Sequence, residues 1–193
     1  MNKPANYDEA IAKTGEFEDL PNGAYKCVIK KAAQAKSKNN EDMLELYVDI
    51  LSDADNGGEY KDYFKKQYDG AIQSGYEAKW RGTLRQITSG KSVPFFKGLI
   101  TSIERSNPGY TFNFDENTLT GKKICGVFRH RQYKAQDGTL KLAVECWYLC
   151  DINKVKDIKT PENKLLNDTN GVKPQIVDDP KFEELSTDED LPF

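Results

Sequence analysis

One histidine in 193 residues leaves little room for chemistry that needs an imidazole. That residue, His130, stands between Arg129 and Arg131, a setting more often found for a surface or nucleic-acid-facing residue than for a general base. The sequence also lacks a Gly-rich phosphate loop, a metal-spaced His/Asp cluster and a Gly-x-Ser-x-Gly elbow. Its many carboxylates fall in loops and tails, where solvation accounts for them. The expectation is a protein that is not an enzyme, with no cofactor and no metal site. No uninterrupted apolar stretch approaches the roughly 20 residues that span a bilayer. The opening Met1-Asn2-Lys3-Pro4 has no apolar signal-peptide region. A soluble, cytoplasmic chain that avoids membranes is expected.

Cysteine is sparse: Cys27, Cys125, Cys146 and Cys150. In a strand Cys146 and Cys150 point the same way but lie roughly 13 Å apart. They cannot form a disulfide with each other, and joint metal binding would need a bend between them. The apolar neighbours Val144, Tyr148 and Leu149 favour buried, reduced thiols over a metal role.

What is present is charge, unevenly distributed. The chain is 37% hydrophobic and 31% charged, with a net charge of −3. Residues 175–193 hold seven acids and one base, Lys181, for a net −6, which leaves +3 on residues 1–174. A mildly basic body therefore carries an acidic tail, and like-charge blocks at a terminus are usually disordered interaction tails.

Patterning divides the chain into an N-terminal extension (1–19), one folded domain (20–153), a linker (154–177) and a tail (178–193). Leu20-Pro21-Asn22-Gly23 is a turn signal. Strands are predicted over 24–33 and 43–51, the second from strict alternation of Leu44, Leu46, Val48 and Ile50. A third, aromatic and lysine-rich strand is expected over 60–68. Helical spacing follows in Ile72, Tyr76, Trp80, Leu84 and Ile87, and again from Val93 to Ile103 with Ser92 as N-cap and Pro94 in the first turn. Strands resume over 122–133 and 139–152, flanking the hairpin signal Gln136-Asp137-Gly138. The fold class expected is mainly β: a five-stranded OB barrel with a helical connection between strands 3 and 4, plus a disordered acidic C-terminal tail. A plain α+β sheet has the same elements.

Binding single strands without sequence preference needs cations for phosphates and flat rings for bases. Strand parity places Tyr63 with Lys65, and Arg129 with Arg131 and Tyr133, on shared faces. Tyr68 and Lys134 stand in the same interleaved segments, Trp147 shares a face with Lys141 and Glu145, and Lys79 and Arg81 either line a groove or solvate a helix. Phe64 and Phe128 face the other way, toward a core, and Trp80 shares the stripe of Leu84 and Ile87. Tyr47 faces outward between Glu45 and Asp49.

The terminal Asp188-Glu189-Asp190-Leu191-Pro192-Phe193 resembles the tip of bacterial single-stranded DNA-binding proteins, with Leu191 where that family commonly has Ile. More diffusely, Phe17-Glu18-Asp19-Leu20-Pro21-Asn22-Gly23-Ala24-Tyr25, Met43-Leu44-Glu45-Leu46, Gly121-Lys122-Lys123 and the Asp137-Gly138 hairpin resemble phage-encoded single-stranded DNA-binding proteins. The resemblance implies an OB-fold, binding of single-stranded DNA, and recruitment of replication, recombination or repair proteins in a bacterial host cell. It makes Phe193 and Pro192 anchors, with Leu191 beside them and Asp188, Glu189 and Asp190 supplying attraction. Capture of a C-terminal carboxylate is a known recognition mode. The body does not resemble a tetramer-forming bacterial domain, so homo-oligomerisation stays open. The alternative is an adaptor that engages a host DNA-metabolism enzyme through the tail without binding DNA, and a third reading is a small nuclease.

Overall fold

The computed structural model describes Lys3, Tyr7 and residues 19–51 and 60–166. Five strands form one antiparallel sheet in the spatial order β3-β2-β1-β4-β5. They are β1 (Gly23–Lys36), β2 (Asp42–Ile50), β3 (Thr83–Ile87), β4 (Lys123–Lys134) and β5 (Leu140–Cys150). A helix α1 (Tyr63–Gln73) precedes β3, and α2 (Val93–Ser106) joins β3 to β4. The fold is mainly β, with a helix between the third and fourth strands as expected. No β3–β5 ladder forms among the described residues, so the sheet is open at those two edges.

Alternation explains the first two strands. Tyr25, Cys27 and Ile29 of β1 face the core, as do Leu44, Leu46, Val48 and Ile50 of β2. A bulge between Ile29 and Lys31 shifts the β1–β2 register, so Ala32 rather than Lys31 continues the buried face. Strands β4 and β5 are found where alternation and the Asp137-Gly138 turn put them. Ala135 and Gly138 close that hairpin through N–H bonds to Thr139 and Ala135 carbonyls, at 2.8 and 2.9 Å. Gly138 takes φ +81°, the left-handed region that glycine enters without steric cost.

The third strand is not where the sequence reading put it. Residues 60–68 were expected as a strand, but Tyr63–Gln73 is helical, and β3 lies in the segment expected to continue a helix. Tyr60, Tyr63, Phe64 and Tyr68 recur at intervals of three, one and four, which is helical spacing. The helix turns Tyr63 and Phe64 inward, where Tyr25, Tyr60, Tyr63, Phe64 and Phe128 form a closed circuit of ring contacts with centroids 5.2–6.3 Å apart. Such edge-to-face and tilted pairs add to the burial of each ring. The longer stripe predicted from Ile72 to Ile87 breaks at Gly75, whose φ is +73°, and again at Gly82. A Cβ on Gly82 would collide with the Val48 carbonyl oxygen and the Phe64 ring.

Helix α1 is capped from a distance. Its own N-cap, Asp62, makes no side-chain cap bond. Instead Asp49 of β2, fully buried, accepts the N–H groups of Phe64 and Lys65 at 3.0 and 3.1 Å, and that of Ile50 at 2.9 Å. A carboxylate at a helix N-terminus meets both unsatisfied donors and the positive end of the dipole.

Helix α2 starts after Ser92, which makes no side-chain cap bond, with Pro94 in its first turn. Leu99 and Ile103 seal the core beneath the sheet. The Asn107 side chain ties its end to β4, donating to the Lys123 carbonyl and accepting the Lys123 N–H. After β5 the chain returns along β4. Lys164 bonds His130 and Gln132 through their backbones, and Asn22 donates to the Pro161 carbonyl. The start of the stretch read as a linker thus lies against the sheet as far as Leu166. No helix among the described residues is long and apolar enough to cross a membrane.

Candidate nucleic-acid interface

Beyond Phe128, which pairs with Gly23 at the start of β1, strands β4 and β5 continue as a two-stranded hairpin. The register sets Arg129 opposite Glu145, Arg131 opposite Ala143 and Tyr133 opposite Lys141. These six residues share the outward face. A bulge between Val127 and Phe128 adds local twist, and Trp147 comes to lie beside Arg129.

The Arg129 guanidinium sits 4.3 Å from the Trp147 ring centroid. Its Nε bonds Glu145 Oε1 at 2.8 Å, and Arg131 Nε approaches Glu145 Oε2 at 3.2 Å. One carboxylate therefore orients two arginines and leaves the trio with a net positive charge. Each guanidinium has five N–H donors, so most donor capacity remains after these bonds. Trp147 is 42% exposed even with Arg129 against its ring. Lys141 adds an exposed ammonium 3.9 Å from Asp137. Thr139 donates to Asp137 from both its hydroxyl and its N–H and holds that carboxyl below the ordinary range.

The expected residues thus separate into groups. Arg129, Arg131, Tyr133, Lys141 and Trp147 come together, and Lys134 is exposed at the end of β4. Lys79 and Arg81 line a groove of about 590 Å³ between α1 and the free edge of β5, formed there by Leu142, Ala143 and Val144. Tyr63, Lys65 and Tyr68 do not make the face that strand parity predicted. Tyr63 is buried and its hydroxyl accepts the Leu20 N–H. Lys65 is exposed on α1 and paired with Asp69, and half-buried Tyr68 packs on Trp80 at 5.8 Å. His130 turns away from its flanking arginines, its ring nitrogens 2.5 Å from Asn22 Oδ1 and 2.7 Å from Asp19 Oδ2.

A second cation–aromatic set lies on the outer face of β1, β2 and β3. Lys31 Nζ is 5.7 Å from the Tyr47 ring centroid, the Tyr47 hydroxyl donates to Glu45, and Arg85 bonds the other Glu45 oxygen at 2.7 Å. The Glu45 bond pushes the Tyr47 phenol up. Alternation places Tyr47 outward between Glu45 and Asp49, but the β1 bulge that turns Lys31 outward leaves no mark in it. Among the described residues no group of three or more His, Cys, Asp and Glu side chains could hold a metal ion. The tip residues Asp188, Glu189, Asp190, Leu191, Pro192 and Phe193 lie outside the described residues. No protein-family model matches this chain, and neither does any curated protein sequence.

Proposed function

We propose that this chain binds single-stranded DNA without sequence preference through the outer face of its sheet, and docks replication, recombination or repair proteins on its C-terminal tip. The observation that carries the proposal is the Arg131–Glu145–Arg129–Trp147 array, in which oriented cations stand beside an exposed indole. Phosphates fall to Arg129, Arg131, Lys141 and Lys134, and bases stack on Trp147 and Tyr133. Lys79 and Arg81 extend the cationic track on the far side of the β5 edge.

The strand order supports this. An OB barrel opened between its third and fifth strands has the order β3-β2-β1-β4-β5, and here β3 and β5 approach each other across that gap. In the proposal the sheet acts as such a barrel, a fold used for oligonucleotides. The acidic tip supports recruitment, in the cytoplasm of a bacterial host and in the service of phage or host DNA metabolism.

Anisotropy titrations with labelled oligo-dT and with a duplex of equal length test the proposal. Preference for the single strand, with affinity falling steeply as salt rises, is expected. Equal affinity for duplex, or none for either, rejects it. Retention of a DNA-metabolism enzyme by the chain without DNA binding would instead support the adaptor reading. That reading is favoured by one observation, the neutralisation of part of the Arg129–Arg131 charge by Glu145.

A further inference from the structure

All four cysteines are free thiols, but they are not equivalent. Cys27 and Cys146 belong to the buried core. Cys125 and Cys150 are register partners, paired across β4 and β5 at the end of the ladder. Directly opposed residues of an antiparallel pair have Cα atoms about 4.5 to 5.5 Å apart, inside the span that disulfides bridge. Cys150 is half-buried where the other three are buried, and it immediately precedes Asp151, the N-cap of the turn that carries Lys154.

We propose that Cys150 and Cys125 form an oxidisable dithiol, in which Cys150 attacks a peroxide and Cys125 resolves the product into a disulfide across β4 and β5. The thiolate is the reactive form, and the surroundings generate it at one position. A hydrogen bond from the Cys125 thiol, assisted by the Lys154 charge, outweighs burial and the neighbouring Asp151 carboxylate and holds the Cys150 thiol below its ordinary range. That same hydrogen bond and burial push the Cys125 thiol up. Burial raises the Cys27 and Cys146 thiols and leaves them inert.

The chemistry balances with a peroxide as the only oxidant. The Cys150 sulfur takes one oxygen as the O–O bond breaks, giving a sulfenic acid and releasing the second oxygen as hydroxide, or as alkoxide from an organic peroxide. The Cys125 sulfur then attacks the Cys150 sulfur, the S–O bond breaks, and the Cys125 proton leaves with the departing oxygen as water. Two electrons pass from the two thiols to the peroxide. A thiol donor such as glutathione reverses the change by exchange. Cys125 and Arg129 alternate onto the same side of β4, with Val127 between them, but the dithiol chemistry needs no DNA.

Full-length reduced protein treated with hydrogen peroxide and digested without reductant tests this. The expected result is an intact mass lower by two hydrogens and one linked peptide pair carrying Cys125 and Cys150. C125S should hold a sulfenic acid at Cys150 that dimedone captures. A bridge to Cys27 or Cys146, a disulfide-linked dimer as main product, or a chain left reduced where free cysteine is oxidised would overturn the proposal. If C125S folds poorly, limiting iodoacetamide on the unmodified chain decides alone. Cys150 should be alkylated first, with a pH midpoint below that of free cysteine, and uniform alkylation of all four overturns the proposal.

Discussion

A carboxylate with no solvent contact is costly unless its lone pairs are met, and Asp49 shows how the chain meets them. Asp49→Ala leaves two N–H groups of the α1 first turn without an acceptor and should cost about 2–4 kcal/mol, measured by urea unfolding. Burial pushes the Asp49 carboxyl up, against the N–H bonds that oppose it. Its contribution is therefore full below the unfolded value near 3.9 and is lost as pH rises through the higher folded value. Asp49→Asn should flatten the stability profile over that interval. Glu45 has the opposite sign. Burial raises its carboxyl, but Tyr47 and Arg85 outweigh this and the net shift is downward. Its contribution is present above about pH 4.3 and disappears as pH falls through the folded value. Because Arg85 is half exposed the loss should stay within roughly 1 kcal/mol, and Glu45→Gln should remove it from the acid limb of the unfolding curve.

At the scale of elements, Gly82 decides whether β3 can reach β2. Its carbonyl accepts the Val48 N–H at 2.7 Å, and any Cβ there meets backbone and ring. Gly82→Ala should cost roughly 1–3 kcal/mol, again read from urea midpoints, whereas Gly98→Ala, on α2 with nothing within 4 Å of the added Cβ, should be neutral or slightly stabilising. The same segment shows what was legible in the sequence. Strands β1, β2, β4 and β5 are visible because each alternates for long enough to show a period of two, and α2 because its apolar stripe is uninterrupted. Residues 60–87 are not, since Tyr63 and Lys65 satisfy strand parity while Tyr60, Tyr63, Phe64 and Tyr68 satisfy a helix, and the ring circuit with Tyr25 and Phe128 settles the contest. Of the candidate face, Arg129, Arg131 and Tyr133 were readable from parity. The Trp147–Arg129 contact and the shared Glu145 were not, because a bulge and a cross-strand register produce them.

For the whole molecule, charge is divided between a basic face and an acidic tail. We propose that residues 178–193, which carry a net −6, compete with DNA for the cationic track through charge. Deleting residues 178–193 should then tighten single-strand binding at low salt and have little effect at high salt, where screening removes the competition; equal affinities at both would show that the tail does not compete. The central claim concerns the Arg129–Trp147 face. The most direct test is a titration of tryptophan fluorescence with dT oligomers of increasing length at several salt concentrations, run on the unmodified chain and on Arg129→Ala. Saturable quenching is predicted, with a negative slope of log affinity against log salt that becomes shallower by about one in the variant. No quenching at any length, or a slope unchanged by Arg129→Ala, would contradict the account.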